Sequence, residues 1–238
     1  MKKKKPLVSF VIRTLNEEKF IGKVLQHIYQ QTFKDFEVII IDSGSTDKTL
    51  EIVKKFPIKL IQIKPEEFGR SYALNLGINK AKGQYICILS GDSLPFSTTW
   101  LEDGLKIFKD NKVAAVTGYI SGVPIGYYFP KLIPLFLLPY QKKRRNYCIK
   151  LTFTNALIRK DLWRVYPIDE RLDKLGCEDR DWAMEMLARG YNVVKDPKFN
   201  IIHFHFLTSQ RLLRWRKAIK IINKRKRPSQ SHTSLEGL

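Results

Sequence analysis

Polar side chains follow two of the most apolar runs in the sequence. The run over 36–41 leads into Asp42, Ser43 and Gly44, and the run over 85–89 leads into Ser90, Gly91 and Asp92. In an open α/β sheet, ligands bind at the carboxyl ends of the strands, so a carboxylate and hydroxyls placed there form a candidate nucleotide site. The alternative for the loop after Asp42 is an ordinary polar connection in which Asp47 only caps the next helix. The loop by itself supports the two interpretations equally.

The apolar runs before these loops are continuous rather than alternating, which is typical of strands buried on both faces of a parallel sheet. Strands are predicted over 7–14, 36–42, 59–63, 85–89 and 113–118, and they alternate with helical patterns over 48–56, 71–81 and 100–108. This alternation predicts an α/β fold with a Rossmann-like, mostly parallel central sheet flanked by helices. Two adjacent strand ends then present Asp42 and Asp92 to the same edge of the sheet.

Further polar residues stand near the predicted ends of helices. Thr14 and Asn16 are predicted to open a helix after the first strand, with Glu17 in its first turn, where the helix dipole favours acids. A later helix is predicted to open at Glu178 and Asp179, which again suits acidic side chains, and to end near glycine 190.

The last predicted strands run over 151–158, 193–196 and 199–203. The first of them carries Asn155, for which a turn residue is one interpretation. His203 and His205 alternate where the final strand continues, so only one of them can face a site easily. An imidazole can bind a metal ion or a phosphate, and a hydrogen bond at the sheet edge is nearly as well supported.

The sequence carries 43 lysines and arginines against 23 acidic residues, a formal net charge of +20. So basic a protein binds anionic partners, such as nucleic acid, anionic lipid or phosphorylated substrates. Much of the excess lies at 2–5, 142–145 and 211–227. These runs flank the predicted α/β core and do not form one face with interleaved aromatic residues, which argues against binding of nucleic acid. A nucleic-acid-binding protein is therefore an alternative that rests on charge alone.

Two segments fall outside the alternating pattern. Residues 119–147 are rich in glycine, proline, aromatic and basic residues, which predicts a loop-rich insertion in a domain that spans 1–206. Residues 207–238 combine a basic amphipathic helical pattern with a polar tail that predicts disorder. Such a helix is of a type that lies on an anionic membrane surface, and a core-packing helix with a solvated cationic face is almost equally supported.

The spacing of the cysteines and the hydropathy of the sequence indicate the cellular compartment of the protein. Cys87, Cys148 and Cys177 are widely spaced and form no CxxC pair, which favours a reducing cytosol over a disulfide scaffold or a zinc site. No long apolar core follows the N-terminal lysines, and no uninterrupted apolar stretch reaches the ~20 residues of a membrane-spanning helix. We therefore expect a cytoplasmic protein that binds peripherally at the inner face of the membrane.

Four fragments, taken in order, resemble the inverting glycosyltransferases of family 2, which have the GT-A fold. SFVIRTLNEE resembles the first strand and helix of that family, EVIIIDSGSTDKTLEI its nucleotide-binding strand and loop, LSGDSLPFSTTWLE its DxD region and CEDRDWAMEMLARGY its ED motif. HFHF over 203–206 is similar to the late HxH segment of the rhamnosyltransferase-like branch. The resemblance covers residues 8–206, most of the chain.

The resemblance implies transfer of a hexosyl or deoxyhexosyl group from a nucleotide-diphosphate sugar to a saccharide or lipid-linked acceptor, with inversion. It makes Asp179 the general base, and it makes Glu178 a support for that base or a contact to the acceptor. A divalent metal ion, Mn²⁺ or Mg²⁺, is implied near Asp92, with His203 or His205 as a further ligand. The donor-binding residues implied by the resemblance are Thr14, Asn16, Glu17, Asp42, Ser43, Arg70, Gly91, Asp92 and Asn155. This chemistry is coherent, because an in-line displacement needs a base for the acceptor hydroxyl and positive charge for the departing diphosphate.

The sequence departs from the family pattern in four places. Ser43 replaces the second carboxylate of the usual DDG, and Ser90 replaces the first aspartate of DxD. Leu74 replaces a frequent arginine, and Arg13 replaces a proline. Arg70 is predicted to take over the work of the missing arginine near the nucleotide. The departures favour the rhamnosyltransferase-like branch and leave the sugar and the base undetermined.

Two further classes stay open. A nucleotidyltransferase on a related sheet would carry a glycine-rich phosphate loop near its N-terminus, and residues 13–18 contain no glycine. A homologue that keeps the fold without the activity is the other class, because the DxD motif lacks one aspartate. The motifs and the basic C-terminal helix together favour an enzyme of cell-surface polysaccharide or glycolipid synthesis.

Overall fold

The computed structural model describes residues 4–122, 146–147, 150–173, 176–204, 221–225 and 227–228. The predicted insertion over 119–147 and the predicted appendage over 207–238 lie largely outside these residues, and His205 lies outside them too. The strands are β1 (Val8–Thr14), β2 (Phe36–Asp42), β3 (Lys59–Gln62), β4 (Tyr85–Ser90), β5 (Ser93–Pro95), β6 (Val113–Thr117), β7 (Ile120–Gly122), β8 (Asn146–Tyr147), β9 (Asn155–Arg159), β10 (Asn192–Lys195) and β11 (Ile201–His203). The helices are α1 (Ile21–Tyr29), α2 (Thr49–Val53), α3 (Arg70–Lys80), α4 (Trp100–Ile107), α5 (Lys160–Val165) and α6 (Glu178–Ala188). Within the described part of the chain, no helix has both the length and the apolar composition that crossing a membrane requires.

β1 lies in the middle of the parallel half of an eight-stranded sheet, whose strand order is β3-β2-β1-β4-β9-β6-β10-β8. Thr14 at the end of β1 is level with Asp42 on β2, and Arg13 is level with Ser90 on β4. The ends of β2 and β4 therefore reach the same edge of the sheet, as predicted. The prediction that these two strand ends are adjacent was wrong, because β1 pairs with both strands and separates them.

The other half of the sheet is mixed, and a second sheet lies beside it. β9 runs antiparallel to both β4 and β6, whereas β10 runs parallel to β6. A three-stranded sheet of order β5-β11-β7 places His203 opposite Ser93. The sequence did not predict this small sheet, since strands of three residues are too short to show a periodicity. The strands predicted over 151–158 and 199–203 are shorter than expected, because turns form before residues 155 and 201.

Helices cover both faces of the large sheet, and each face has its own apolar cluster. α1, α2 and α4 pack with Phe10 and Ile40 on one face, while α3, α5 and α6 pack with Val11, Ile39 and Ile41 on the other. Because successive strand residues point to opposite faces, this double burial explains the continuous apolar runs of the sequence. The predicted α/β fold, a mostly parallel sheet flanked by helices, is confirmed.

The first helix begins later than predicted. Thr14 and Asn16 do not open it, because Asn16 has a φ of +54°, in the left-handed region that a helix cannot contain. α1 starts at Ile21 and has no acidic residue in its first turn, so Glu17 lies in the loop between β1 and α1. The apolar face itself was predicted correctly, and its buried residues are Ile21, Val24, Leu25 and Ile28.

Candidate active site

A cavity of about 290 Å³ opens at the edge of the sheet where β1 and β4 end. Its lining residues are Arg13, Thr14, Leu15, Glu17, Ser43, Phe68, Arg70, Ser90, Asp92 and His203. The structure therefore brings together five predicted donor-binding residues and His203, which like Asp92 was predicted to bind a metal ion; the five are Thr14, Glu17, Ser43, Arg70 and Asp92. These residues lie in loops or at the ends of strands and at the start of a helix; they are far apart in the sequence and meet at one sheet edge.

Several polar groups in the cavity wall are buried without a hydrogen-bond partner among the described residues. They are Nη1 of Arg13, Oγ1 of Thr14 and Oγ of Ser43. A buried polar atom without a partner costs folding free energy, so a group of them around one cavity points to a ligand that supplies the partners. A guanidinium and two hydroxyls suit the oxygen atoms of phosphate and sugar.

Asp42 is fully buried and organises the loop that follows β2. Its Oδ1 accepts hydrogen bonds from the backbone N–H groups of Gly44 at 3.1 Å and of Ser45 at 3.0 Å, and its Oδ2 accepts one from the Ser45 hydroxyl. Gly44 has a φ of +91°, a conformation that residues with a Cβ rarely adopt. The carboxylate of Asp42 thus shapes the loop, and Ser43 is the residue that the loop presents to the cavity.

Asn16 connects the loop after β1 to the loop after β2. Its Oδ1 accepts a hydrogen bond from the backbone of Thr46 at 2.8 Å, and its own N–H donates to the Ser45 hydroxyl at 2.9 Å. The N–H of Glu17 adds a bond to the Thr49 hydroxyl at 2.7 Å. Asn16 is not among the residues that line the cavity, and its contacts hold the two loops together. Its predicted contact with the donor stays a prediction.

Asp92 is fully buried after the end of β4, and its Oδ2 lies 3.1 Å from Nε2 of His203. His203 reaches this carboxylate from β11 of the small sheet. Gly91 allows a close approach to β1, because a Cβ at this position would lie 3.0 Å from Oγ1 of Thr14 and 3.2 Å from Cγ of Glu17. Two carboxylates and an imidazole therefore form one wall of the cavity.

Glu17 completes this acidic wall. Burial raises the pKa of the Glu17 carboxyl to about 8, with the negative charges of Asp92 and Asp47 as further causes. Negative charges that raise the pKa of a neighbouring carboxyl in this way are typical of sites that receive a positive charge.

Two arginines face the cavity from different elements. Arg13 is the penultimate residue of β1, and Arg70 is the first residue of α3. Burial lowers the pKa of Arg13, the charge of Glu178 raises it, and the charge of Arg70 lowers it. A role for Arg70 near the nucleotide was predicted, whereas Arg13 was noted only as a replacement for proline. A lone charge in the apolar run FVIRT, one residue before a strand end at the site, was the signal that could have identified it.

The predicted catalytic residues, Glu178 and Asp179, are the first two residues of α6 and follow a tight turn. Cys177 has a φ of +145° and Gly176 a φ of +64°. A Cβ at Gly176 would lie 2.9 Å from Nη1 of Arg70, so this turn packs against an arginine of the cavity. Glu178 is buried, and its Oε2 accepts a hydrogen bond from the N–H of Cys177 at 2.8 Å.

Asp179 has the properties of a base. Burial raises the pKa of its carboxyl to about 7, and the negative charge of Glu178 is the second cause. Hydrogen bonds from the backbone of Arg180 and Phe153, and the charge of Arg13, act in the opposite direction. A carboxylate whose pKa lies near neutrality is well matched to accepting a proton at physiological pH.

Asn155 is fully buried at the start of β9 and is not among the residues that line the cavity. Its side-chain amide donates to the carbonyl oxygen of Phe199 at 2.7 Å, and its backbone carbonyl accepts a hydrogen bond from the Thr117 hydroxyl at 2.8 Å. These bonds tie β9 to β6 and to the turn before β11. Its predicted place in the donor or acceptor pocket stays a prediction.

Leu15 and Phe68 give the cavity an apolar rim. Each side chain lines the cavity and is 44% exposed. Exposed apolar groups beside buried polar ones suit a ligand with a flat ring as well as charged oxygens, because a ring packs on such side chains.

The described residues contain no group of three His, Cys, Asp or Glu side chains placed to bind one metal ion. Asp92 and His203 nevertheless offer a carboxylate and an imidazole with donor atoms 3.1 Å apart, and both suit Mn²⁺. Ions such as Mg²⁺ commonly bind one or two protein ligands, with substrate phosphates and water in the other positions. The residues present therefore fit a metal ion that binds together with a diphosphate.

Comparison with known proteins defines the class. The sequence profile of glycosyl transferase family 2 matches residues 9–165, a range that contains both the Asp42 and the Asp92 loops. The chain therefore belongs to glycosyl transferase family 2.

Individual relatives agree with this assignment. The glycosyltransferase GlyG of Streptococcus pneumoniae is 34% identical over 206 residues, which cover 83% of this chain and 60% of GlyG. The mannosyltransferase PcManGT from Pyrobaculum calidifontis, solved with GDP-Man and Mn²⁺, has a TM-score of 0.70 at 23% identity, covering 95% of this chain and 67% of that one. TarS 1–349 of S. aureus, solved with UDP-GlcNAc, has a TM-score of 0.67 at 18% identity, covering 90% and 65%. The chain thus spans 60% of the length of GlyG, and the two solved structures share its fold.

Proposed function

We propose that the chain is an inverting glycosyltransferase that moves a sugar from a nucleotide-diphosphate donor to an acceptor hydroxyl. The observation that carries this proposal is the cavity wall, where buried donors of Arg13, Thr14 and Ser43 lack partners among the described residues. Arg70 links this wall to the turn that holds Asp179. Membership of glycosyl transferase family 2 supports the proposal, as do the nucleotide sugars bound in PcManGT and TarS.

The proposed reaction is a single displacement. The acceptor oxygen forms a bond to the anomeric carbon while the bond from that carbon to the diphosphate oxygen breaks, and the electron pair leaves with the nucleoside diphosphate. Asp179 takes the proton of the acceptor hydroxyl, and burial together with the negative charge of Glu178 keeps the pKa of Asp179 high enough for this transfer. Arg13 and Arg70 stabilise the negative charge that develops on the diphosphate.

A divalent metal ion, Mn²⁺ or Mg²⁺, is part of the proposal, with Asp92 and His203 as its protein ligands. When bound, the ion would supply positive charge to the diphosphate. Glu17 adds a second carboxylate to the same wall and offsets the absence of an aspartate at Ser90. The Mn²⁺ in the PcManGT structure supports this part of the proposal.

We place the nucleotide at Ser43 with its base at the rim, where Leu15 and Phe68 offer apolar surface. The proposed acceptor is a saccharide or a lipid-linked saccharide in the synthesis of a cell-surface polysaccharide or glycolipid. An acceptor at the cytoplasmic face of a membrane is consistent with the basic sequence over 211–227.

A thermal-shift panel tests the donor and the metal ion together. We expect one donor among GDP-, UDP- and dTDP-activated sugars to raise the melting temperature in the presence of Mn²⁺ and not in its absence, since a ligand that binds the native state stabilises it. Asp92→Asn should abolish this shift, and Asp161→Asn, on an exposed residue of α5, should retain it. Absence of a shift with every donor would contradict the proposed function.

The stereochemistry requires a separate measurement. With the stabilising donor and a saccharide acceptor, NMR should show a product whose anomeric configuration is opposite to that of the donor. A product with the donor's configuration would exclude the single displacement.

A further inference from the structure

The described residues of the C-terminal segment 221–228 pack behind the turn that carries Asp179. Ile222 is fully buried in a small apolar cluster with Leu172 and Cys177, and Met184 packs against this cluster. Cys177 is the residue immediately before α6. The segment therefore touches the backbone that leads directly into Glu178 and Asp179.

A buried carboxylate of α6 holds the same segment by charge. Asp181 lies in the first turn of α6 and is fully buried. Its Oδ1 accepts a hydrogen bond from Nη2 of Arg227 at 2.6 Å and lies 3.1 Å from Nη1 of Arg225. Its Oδ2 accepts a hydrogen bond from the Tyr166 hydroxyl at 2.8 Å, and its backbone oxygen accepts one from Nη1 of Arg227 at 3.0 Å.

Two further carboxylates extend this network. Nη1 of Arg225 donates to Asp169 at 2.6 Å, and Nη1 of Arg227 donates to Glu185 at 3.3 Å. The arginines that line the adjacent cavity of about 470 Å³ are Arg171, Arg189, Arg225 and Arg227, and each of them pairs with a carboxylate. The four arginines share three carboxylates, Asp169, Asp181 and Glu185, so most of their charge is paired within the chain and the cluster acts as a clamp.

We propose that the segment 221–228 is a positioning element for Asp179: Ile222 packs on Cys177, and Arg225 and Arg227 fix Asp181. This inference rests on the proposed function, in which Asp179 is the base. Buried ion pairs of this kind specify geometry more than they add stability, because desolvation offsets much of their attraction.

The backbone of the turn explains why it needs such support. Cys177 has a φ of +145°, which residues other than glycine seldom adopt, so the turn relaxes unless its surroundings hold it. Ile222 and the Asp181 clamp contact the turn and the helix on the side of the C-terminal segment, whereas Arg70 contacts the turn from the side of the cavity. Loss of the segment would therefore free the turn and move the base away from the acceptor hydroxyl.

Labelling of Cys177 tests the packing without any assay of transfer. Cys177 is 2% exposed, so a maleimide should label it slowly in the full-length protein. Ile222→Ala should raise this rate about tenfold or more by local opening, and Ile221→Ala, at a residue that is 47% exposed, should not. Peptide mass spectrometry distinguishes Cys177 from the buried Cys87, whose rate should stay unchanged. An unchanged rate at Cys177, or equal increases at Cys177 and Cys87, would overturn the proposal.

Steady-state kinetics then tests the effect on the base. Arg227→Ala should lower kcat about 10- to 100-fold with little change in donor KM, because small displacements of a catalytic group cost this much. Arg227→Lys should restore part of kcat, and Arg171→Ala, at an exposed arginine of the same cluster, should leave kcat unchanged. Wild-type kcat in Arg227→Ala, or a change in donor KM alone, would overturn the positioning role. If the wild-type protein transfers no sugar, the proposed function fails, and the labelling result still decides whether the segment packs on the turn.

Discussion

Asp179 joins two properties that catalysis by a carboxylate requires. Its carboxyl is shielded from solvent enough to raise its pKa to about 7, and it lies near enough to Arg13 for each charge to affect the pKa of the other residue. Glu178, the preceding residue, carries a negative charge that also raises this pKa. The two adjacent acids at this helix start therefore have different proposed roles: the raised pKa of Asp179 suits a base, and Glu178 supplies a negative charge beside it.

Replacement of Asp179 by asparagine tests its role directly. Asparagine keeps the size of the side chain and cannot accept the proton, so kcat should fall about 10²- to 10⁴-fold. Donor affinity, measured by calorimetry, should stay within about twofold, because the donor contacts lie on the cavity wall. Full activity in Asp179→Asn would exclude it as the base, and Asp161→Asn is the matched control on an exposed carboxylate.

The pH profile should report the same residue. Asp179 acts in its ionised form, so kcat should rise with pH through about 7 and level off above it. Glu178→Gln removes the second cause of the raised pKa, and the midpoint of the acid limb should therefore move to lower pH. Measurement of kcat across the pH range in both proteins checks this, and a midpoint that stays in place or moves upward would contradict the assignment.

At single residues, the sequence was informative where a polar group ends an apolar run. Asp92 and Ser43 could be placed at the site because they follow continuous buried strands. Arg13 was not placed there, although a lone charge near the end of the apolar run FVIRT is a signal; the structure was needed to show that its side chain faces the cavity. The role of Asp42 also became clear only from the structure, in which its carboxylate accepts hydrogen bonds from the loop that follows it.

At the scale of elements, the site depends on two loops that are bonded to each other. The loop after β2 is shaped by Asp42 and Gly44, and it is joined to the loop after β1 through Asn16. Ser43 and Glu17 line one cavity because these bonds keep the two loops in register.

Gly44→Ala should damage both the fold and donor binding. The φ of +91° strains a residue with a Cβ, and that Cβ would lie 2.7 Å from Cγ of Pro65. We expect a loss of about 1–3 kcal/mol in the free energy of unfolding, measured with urea, and a higher donor KM.

A second variant separates the two causes of the expected stability loss, the backbone strain at residue 44 and the contact with Pro65. Pro65→Ala in the Gly44→Ala protein removes the contact but not the backbone strain, so it should restore part of the stability. Wild-type stability in Gly44→Ala would show that the loop adapts without cost.

Strands and helices were predicted more accurately when they are longer and more deeply buried. The predicted bounds of β2 match the observed Phe36–Asp42, because turn residues follow a run buried on both faces. The start of α1 was misplaced, since the propensity of Asn16 and Glu17 for a helix start was overridden by bonds to residues about 30 positions away. The small sheet with His203 has strands of three residues paired over long sequence distances, and no local pattern encodes such pairing.

At the scale of the whole molecule, the basic C-terminal sequence divides into two parts. Arg225 and Arg227 bind carboxylates of the core, and Ile222 is buried. Lys217 and Lys220 precede this part and lie outside the described residues. The core-packing interpretation therefore holds for Ile222, while the membrane interpretation concerns the residues before it.

A charge reversal limited to Lys217 and Lys220 tests the membrane interpretation without changing the residues of the clamp. Lys217→Glu/Lys220→Glu should weaken cosedimentation with vesicles of phosphatidylglycerol, since each basic residue near an anionic surface contributes about 1 kcal/mol, and added salt should weaken it in the wild type. Because Ile222, Arg225 and Arg227 are retained, kcat on a soluble acceptor and the labelling of Cys177 should stay at wild-type values. Unchanged cosedimentation would assign the basic residues at 217 and 220 to another partner, whereas a joint loss of membrane binding and kcat would mean that the two parts act as one unit.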